Sequence, residues 1–404
     1  MAGARHEGSL LRESSPHQHH RVTYVELFFD LVFVFAITQI SHTLLAHFTA
    51  PGVLQVTILM FAVWWVWVFM SWVTNWLDPE RTPVRVMLFV MMIAGLVLST
   101  SIPKAFDSRG LAFALAFVFM QVGRSVFFIF AVPKSATGHR KNFLRISIWM
   151  AVSGIFWIAG GLADPETRVI LGLVALAIEY AGPAMRFPTP GLGASTLEDW
   201  EVEGGHMAER CALFIIIALG ESIVVTGATF SEASWTLPTA AAFIVALLGS
   251  IAIWWIYFHI GAEAGADRIS NAEGTGRLAR LAYTYLHLPI VAGIVVCAVG
   301  DEMLLAHPAG HSGAKEMLSM IGGPLLYLAG VILFKRSIRG HLQLSHLVGI
   351  GLLLVLIPFA HWLTPLALSA ATTVILLIVA AWEAVSLGSA GPHSTKPHAE
   401  ATSA

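Results

Sequence analysis

Apolar runs of about 20 residues, the length that crosses a bilayer as a helix, recur twelve times along this chain. They start near Leu27, Val53, Val84, Leu111, Phe143, Thr167, Ala208, Pro238, Leu281, Leu318, Ser345 and Pro365. No other feature constrains the fold as much, because in hydrocarbon every backbone polar group must be satisfied within its own segment or a closed barrel. Charged residues make up only 12% of the sequence, against about 25% in an ordinary soluble domain. That leaves too little polar side chain to cover a water-facing exterior. The expected fold is all-α, a polytopic integral membrane protein of about 12 transmembrane helices with the lipid bilayer as its first partner.

Lys and Arg in the connections orient the spans. Eighteen lie on the side of the N-terminus, among them Arg5, Arg12, Arg21, Arg81, Lys134, Arg210, Arg280 and Lys335, and only Lys104, Arg109, Arg168 and Lys315 lie opposite. Arg124 falls inside the fourth span. The asymmetry places both termini of this multi-pass membrane protein in the cytoplasm. Residues 1–21 and 389–404 read as disordered cytoplasmic tails, and no cleavable signal precedes the first span.

The spans divide six and six. Residues 22–188 form a first half, 189–207 a polar cytoplasmic connector containing the acidic run "LEDWEVE", and 208–388 a second half. "WWVWVFM" at Trp64 has a counterpart in "WWIYFHI" at Trp254. Glu26 opens the first span as Glu209 opens the seventh, and Glu179 sits in the sixth as Glu383 sits in the twelfth. The shared order suggests a 6+6 parallel internal repeat, related by an axis along the membrane normal.

The segments "ELFFDLVFVFAITQISH" and "ERCALFIIIALGESIV", with the tryptophan-rich second span, resemble the bacterial low temperature requirement A (LtrA) family from Arg21 to about Gly388. The resemblance implies a multi-span membrane protein tied by name to growth at low temperature. Its motif residues fall on Glu26, Asp30, Glu209, Arg210, Gly220 and Glu221, and it brings no agreed catalytic roles for them.

Ionisable groups are costly in lipid and usually face a protein interior. Glu26 and Asp30 project about 40° apart from one helix face, and His206, Arg210 and Glu221 fall within about 60° on the seventh span. Glu221 stands between Gly220 and Ser222, where another backbone could approach closely. Arg124 needs an acid, and Asp30, Glu179 and Glu221 are the intramembrane choices. His259 and His287 add titratable groups. Together with Gln39 and Glu209, these residues suggest a polar vestibule for protons or a small-molecule substrate. For each there is a structural alternative: Glu26 as a solvated helix end, Glu221 as a protonated packing residue, Arg124 as an interhelical lock, and each His as a hydrogen-bonded packing group.

Other chemistries find little support. A net charge of −2 argues against nucleic acid. Cys211 and Cys297 are isolated, no GxxxxGK[ST], HExxH, GxSxG or DDxxD motif occurs, and "HQHH" at His17 lies in a tail. No metal or cofactor is implied, and an enzyme is the less favoured reading. The expectation is a proton-coupled secondary transporter of a small solute. The alternatives are a non-transporting membrane component tied to low-temperature growth, or a membrane-embedded enzyme acting on lipid.

Overall fold

The computed structural model describes residues 9–12, 21–196, 200, 203–259 and 280–388. Among these residues, twelve helices are long and apolar enough to cross a membrane. They are α1 Tyr24–Ala46, α2 Ala50–Trp76, α3 Thr82–Lys104, α4 Gly110–Ala131, α5 Thr137–Leu162 and α6 Pro165–Met185. The second set is α7 Gly204–Glu232, α8 Leu237–Phe258, α9 Arg280–Ala306, α10 Ala314–Ile338, α11 Leu344–Trp362 and α12 Pro365–Ser386. Span number and order agree with the apolar runs. The largest shift is at α5, which begins six residues before Phe143.

Local sequence explains the helix starts. Pro51, Pro83, Pro165 and Pro238 sit in the first turns of α2, α3, α6 and α8, where a missing N–H costs nothing. Glu26 reaches back to the Thr23 N–H and hydroxyl, both at 2.9 Å, the returning half of a capping box. Outside the spans, the exposed Asp164 caps α6. Hydrogen bonds from Thr167 hold its carboxyl below the ordinary carboxylate range.

From Ala62 to Trp76 every residue of α2 is buried, as expected of a helix apolar on all sides. It is the central post. Trp65 stacks on Tyr180 of α6, and Trp64 and Trp67 pack on Phe214 of α7. In the first half α1 packs on α2 and α3, and the chain of contacts continues α3–α4–α5–α6 and closes α6 onto α2. In the second half α7 packs on α8 and α9, continues α9–α10–α11–α12 and closes α12 onto α8. The neighbour pattern is the same, but the two tryptophans that the repeat expectation pairs differ in solvation: Trp64 is 1% exposed and Trp254 44%. The halves meet where α1 and α2 contact α7 and α9.

Two segments outside the spans are more ordered than their composition suggests. In the N-terminal tail, Leu11 bridges to Leu77 and the Arg12 N–H donates to the Trp76 carbonyl at 2.8 Å. Just before the connector Phe187 is buried, and within it Trp200 is buried and packs on Trp72. Leu197–Asp199 and Glu201–Val202 of the acidic run, the remainder of both tails including His17, and residues 260–279 lie outside the described residues.

Candidate functional site

The seam between α1 and α7 carries a ladder of polar pairs, each with one member from each half. At the first rung His206 Nε2 lies 3.0 Å from Glu26 Oε1, and Asn75 Nδ2 lies 3.3 Å from His206 Nδ1. The amide nitrogen donates to Nδ1, while Nε2 faces both the Glu26 carboxylate and the Arg12 guanidinium, whose Nη2 lies 3.2 Å from it. Arg12 joins from the tail, its Nη2 3.3 Å from Glu26 Oε2. Glu26 is fully buried, which removes the reading of it as a solvated helix end. Glu209 is exposed and accepts the Val22 N–H at 3.0 Å, fastening the entry of α1 to α7.

One turn deeper is the second rung. Arg210 Nη2 donates to Asp30 Oδ1 at 2.9 Å, and Trp67 Nε1 donates to the same oxygen at 2.9 Å. Arg210 also donates to Ser71 Oγ from Nε and Nη2, at 3.3 and 3.2 Å. All of these groups are buried, yet Asp30 Oδ2 and Arg210 Nη1 have no hydrogen-bond partner among the described residues. The third rung is Glu221, which accepts from Thr38 Oγ1 on one oxygen and from Ser41 Oγ at 3.4 Å on the other.

Partner numbers rise together, 26 with 206, 30 with 210, 38 with 221, so α1 and α7 run in the same direction. At 1.5 Å per residue the ladder covers about 18 Å of the α1 axis, more than half of a hydrocarbon core. The cavities lined by Asp301, by Arg168 and by Leu318 do not include its residues.

The remaining candidates lie elsewhere. Glu179 is buried between α4, α5 and α6, accepting from Ser153, from Trp157 Nε1 at 2.9 Å and from Gln121 Nε2 at 3.2 Å. Arg124 faces Glu179 electrostatically, lies over the Phe69 ring and donates to the Val66 carbonyl at 3.4 Å. Of the three acids open to it, Glu179 is the near one. His287 accepts from Tyr257 OH and donates from Nδ1 to the Ala282 carbonyl, both at 2.8 Å, the geometry of a packing histidine. His259 is exposed at the end of α8 and stacks on Trp255. Gln39 is half-buried and offers the network only its backbone carbonyl, taken by Thr43. The close approach expected at Gly220 is absent, since a Cβ there would meet nothing within 4 Å.

Sequence reasoning missed several participants. Lys335, read as a loop charge, is buried in α10 with Nζ 2.8 and 2.9 Å from the Glu383 carboxylate and 2.9 Å from the Ile256 carbonyl. Asp301 of α9 accepts from Ser222 Oγ at 3.2 Å. A count of acids inside apolar runs would have found Asp301. Arg12 gave no signal, because it lies among tail residues. Among the described residues no cluster of three or more His, Cys, Asp or Glu could hold a metal ion.

Comparison with known proteins places this geometry in context. Residues 21–381 match the family described as bacterial low temperature requirement A protein (LtrA). An uncharacterised protein of Rhizobium meliloti (strain 1021) is 42% identical over 368 residues, covering 91% of this chain and 90% of the relative. No solved structure matches. A multi-pass architecture in a bacterial family is consistent with the plasma membrane. With its matched region running from just before the Glu26 rung to the last turns of α12, the chain belongs to the bacterial low temperature requirement A (LtrA) family.

Proposed function

We propose that the chain is a proton-coupled secondary transporter of a small solute, in which two parallel six-helix repeats rock against each other across the α1/α7 seam. The observation that carries this reading is the ladder itself. Each rung joins one half to the other, and each contains a carboxylate. A permanent seam is made more cheaply from small apolar residues, and a buried ion pair is often no more stabilising than hydrophobic groups of its size. Titratable rungs at a moving interface have a use that apolar packing lacks: protonation weakens the attraction between the halves. The unpartnered Asp30 Oδ2 and Arg210 Nη1 leave that rung able to take a proton or a polar solute group. The buried ladder corresponds to an occluded state in this reading. Both termini and the connector are cytoplasmic in this reading.

The test needs no substrate. Spin labels at Met185→Cys and Val385→Cys, both exposed and at corresponding ends of α6 and α12, report the distance between halves in liposomes, on a background lacking Cys211 and Cys297. The expected result is a two-component distribution whose balance shifts between mildly acidic and mildly alkaline pH. Asp30→Asn with Glu221→Gln should abolish the shift. A single distance indifferent to pH in the otherwise native protein makes the ladder a static lock and ends the transporter reading.

A further inference from the structure

We infer that the second half binds a sodium ion in a cavity beside Asp301, near the α9–α10 turn. This goes beyond the transport reading and does not depend on it. The cavity has a volume of about 30 Å³ and lies between α8, α9, α10 and α12. A single water needs about 10–15 Å³, so a small ion fits with at most one water.

Its lining is oxygen-rich. Asp301 Oδ2 takes the Ser222 hydroxyl at 3.2 Å, and Ser222 lies 3.3 Å from Ser250 Oγ. Among the described residues, no hydrogen bond reaches Asp301 Oδ1 or the Ser369 hydroxyl, and both residues line the cavity. Backbone contributes as well. Helix α10 is interrupted at Ile321, between Ala314–Met320 and Gly322–Arg339. Pro324 has no N–H to return to the Met320 carbonyl four residues back, and both residues line the cavity. Interrupted helices that release carbonyls beside a carboxylate are suited to alkali cations in membranes.

Charge selects the ion. No basic side chain lines the cavity, so one carboxylate is balanced by one monovalent cation. A divalent ion would leave a net positive charge in lipid, and it normally draws on more carboxylates or retained waters. The first half supplies a contrast. Its cavity, about 10 Å³ between α2, α4, α5 and α6, contains the Arg168 guanidinium, which donates to the Gly160, Ala105, Asp107 and Ala163 carbonyls at 2.6–3.0 Å. There the protein provides its own cation; beside Asp301 it provides only the oxygens.

The test is thermal unfolding of the full chain in detergent at fixed ionic strength and pH, in sodium, potassium or choline chloride. Sodium should raise the unfolding temperature saturably, as a ligand of the native state does, and potassium and choline should not. D301N should lose the sodium response. S369A should keep the fold, because that hydroxyl makes no internal hydrogen bond, while weakening the sodium midpoint about tenfold. An equal response to all three salts, or an undiminished response in D301N, overturns the site. If D301N does not fold, S369A decides, and an unchanged midpoint overturns the site. Stability that follows pH while ignoring sodium assigns Asp301 to a proton and likewise overturns it.

Discussion

Asp30 and Arg210 show what residue-level reading can and cannot deliver. Both are buried and 2.9 Å apart. Removing one partner strands a charge, which typically costs about 3–5 kcal/mol, whereas removing both leaves little to desolvate. Arg210→Gln should therefore destabilise by about that amount, and adding Asp30→Asn should restore most of it; reversible unfolding in mixed micelles measures both. If the double variant is as unstable as Arg210→Gln alone, the rung is held by Trp67 and Ser71 rather than by charge. The acids and bases of this rung were legible, because 3.6 residues per turn places Glu26 with Asp30 and His206 with Arg210 on single faces. Their pairing was not. Periodicity says which residues share a helix face, not which helix lies opposite, so Arg124 was as eligible for Asp30 as Arg210. Thr38, Ser41 and Asn75 escaped notice for a related reason: a hydroxyl or amide in an apolar run is unremarkable until a carboxylate faces it.

At the scale of elements, apolar length specified the spans, and glycine placement decides how tightly they pack. A Cβ on Gly293 would lie 2.5 Å from the Tyr327 backbone nitrogen, and one on Gly323 would lie 2.8 Å from the Cys297 nitrogen. These contacts draw α9 against α10 and so shape the wall of the Asp301 cavity. Gly293→Ala should then cost about 1–3 kcal/mol through overpacking, while Gly220→Ala, with open space around it, should be neutral or slightly stabilising. Unfolding of the two variants side by side checks the pair, and equal effects would mean that α9 and α10 separate without cost. Sequence pointed to the wrong glycine. Gly220 drew attention because it adjoins Glu221, but close approach depends on the facing helix. The connector and tail were misjudged similarly: Trp200 packs on α2 and Arg12 meets α2 and α7, contacts between segments far apart along the chain.

At the scale of the whole molecule, the two halves use the same order of helix neighbours, and α1 and α7 run in parallel. Corresponding elements even carry related pairs, Arg124 of α4 toward Glu179 of α6 and Lys335 of α10 on Glu383 of α12. An inverted repeat would set α1 against α7 head to tail, and an odd number of spans per half would do the same. The proposed parallel halves of six spans would instead put the N-terminus, the connector and the C-terminus on one side. Arg210 and Lys335 are ion-pair partners inside helices rather than loop charges, so neither belongs in the orientation count. The asymmetry survives without them, because the side holding Arg81, Arg85, Arg140, Lys141 and Arg186 still far outweighs the side holding Lys104, Arg109, Arg168 and Lys315. Positive residues in short loops stay in the cytoplasm. Alkaline phosphatase fused after Gly193 or after Gly388 should therefore be inactive, and fused after Asp107 or Ser234, in opposite turns, it should be active. Activity at Gly193 together with silence at Asp107 would invert the protein in the membrane, turning the Glu26 end of the ladder outward and the Asp301 cavity toward the cytoplasm.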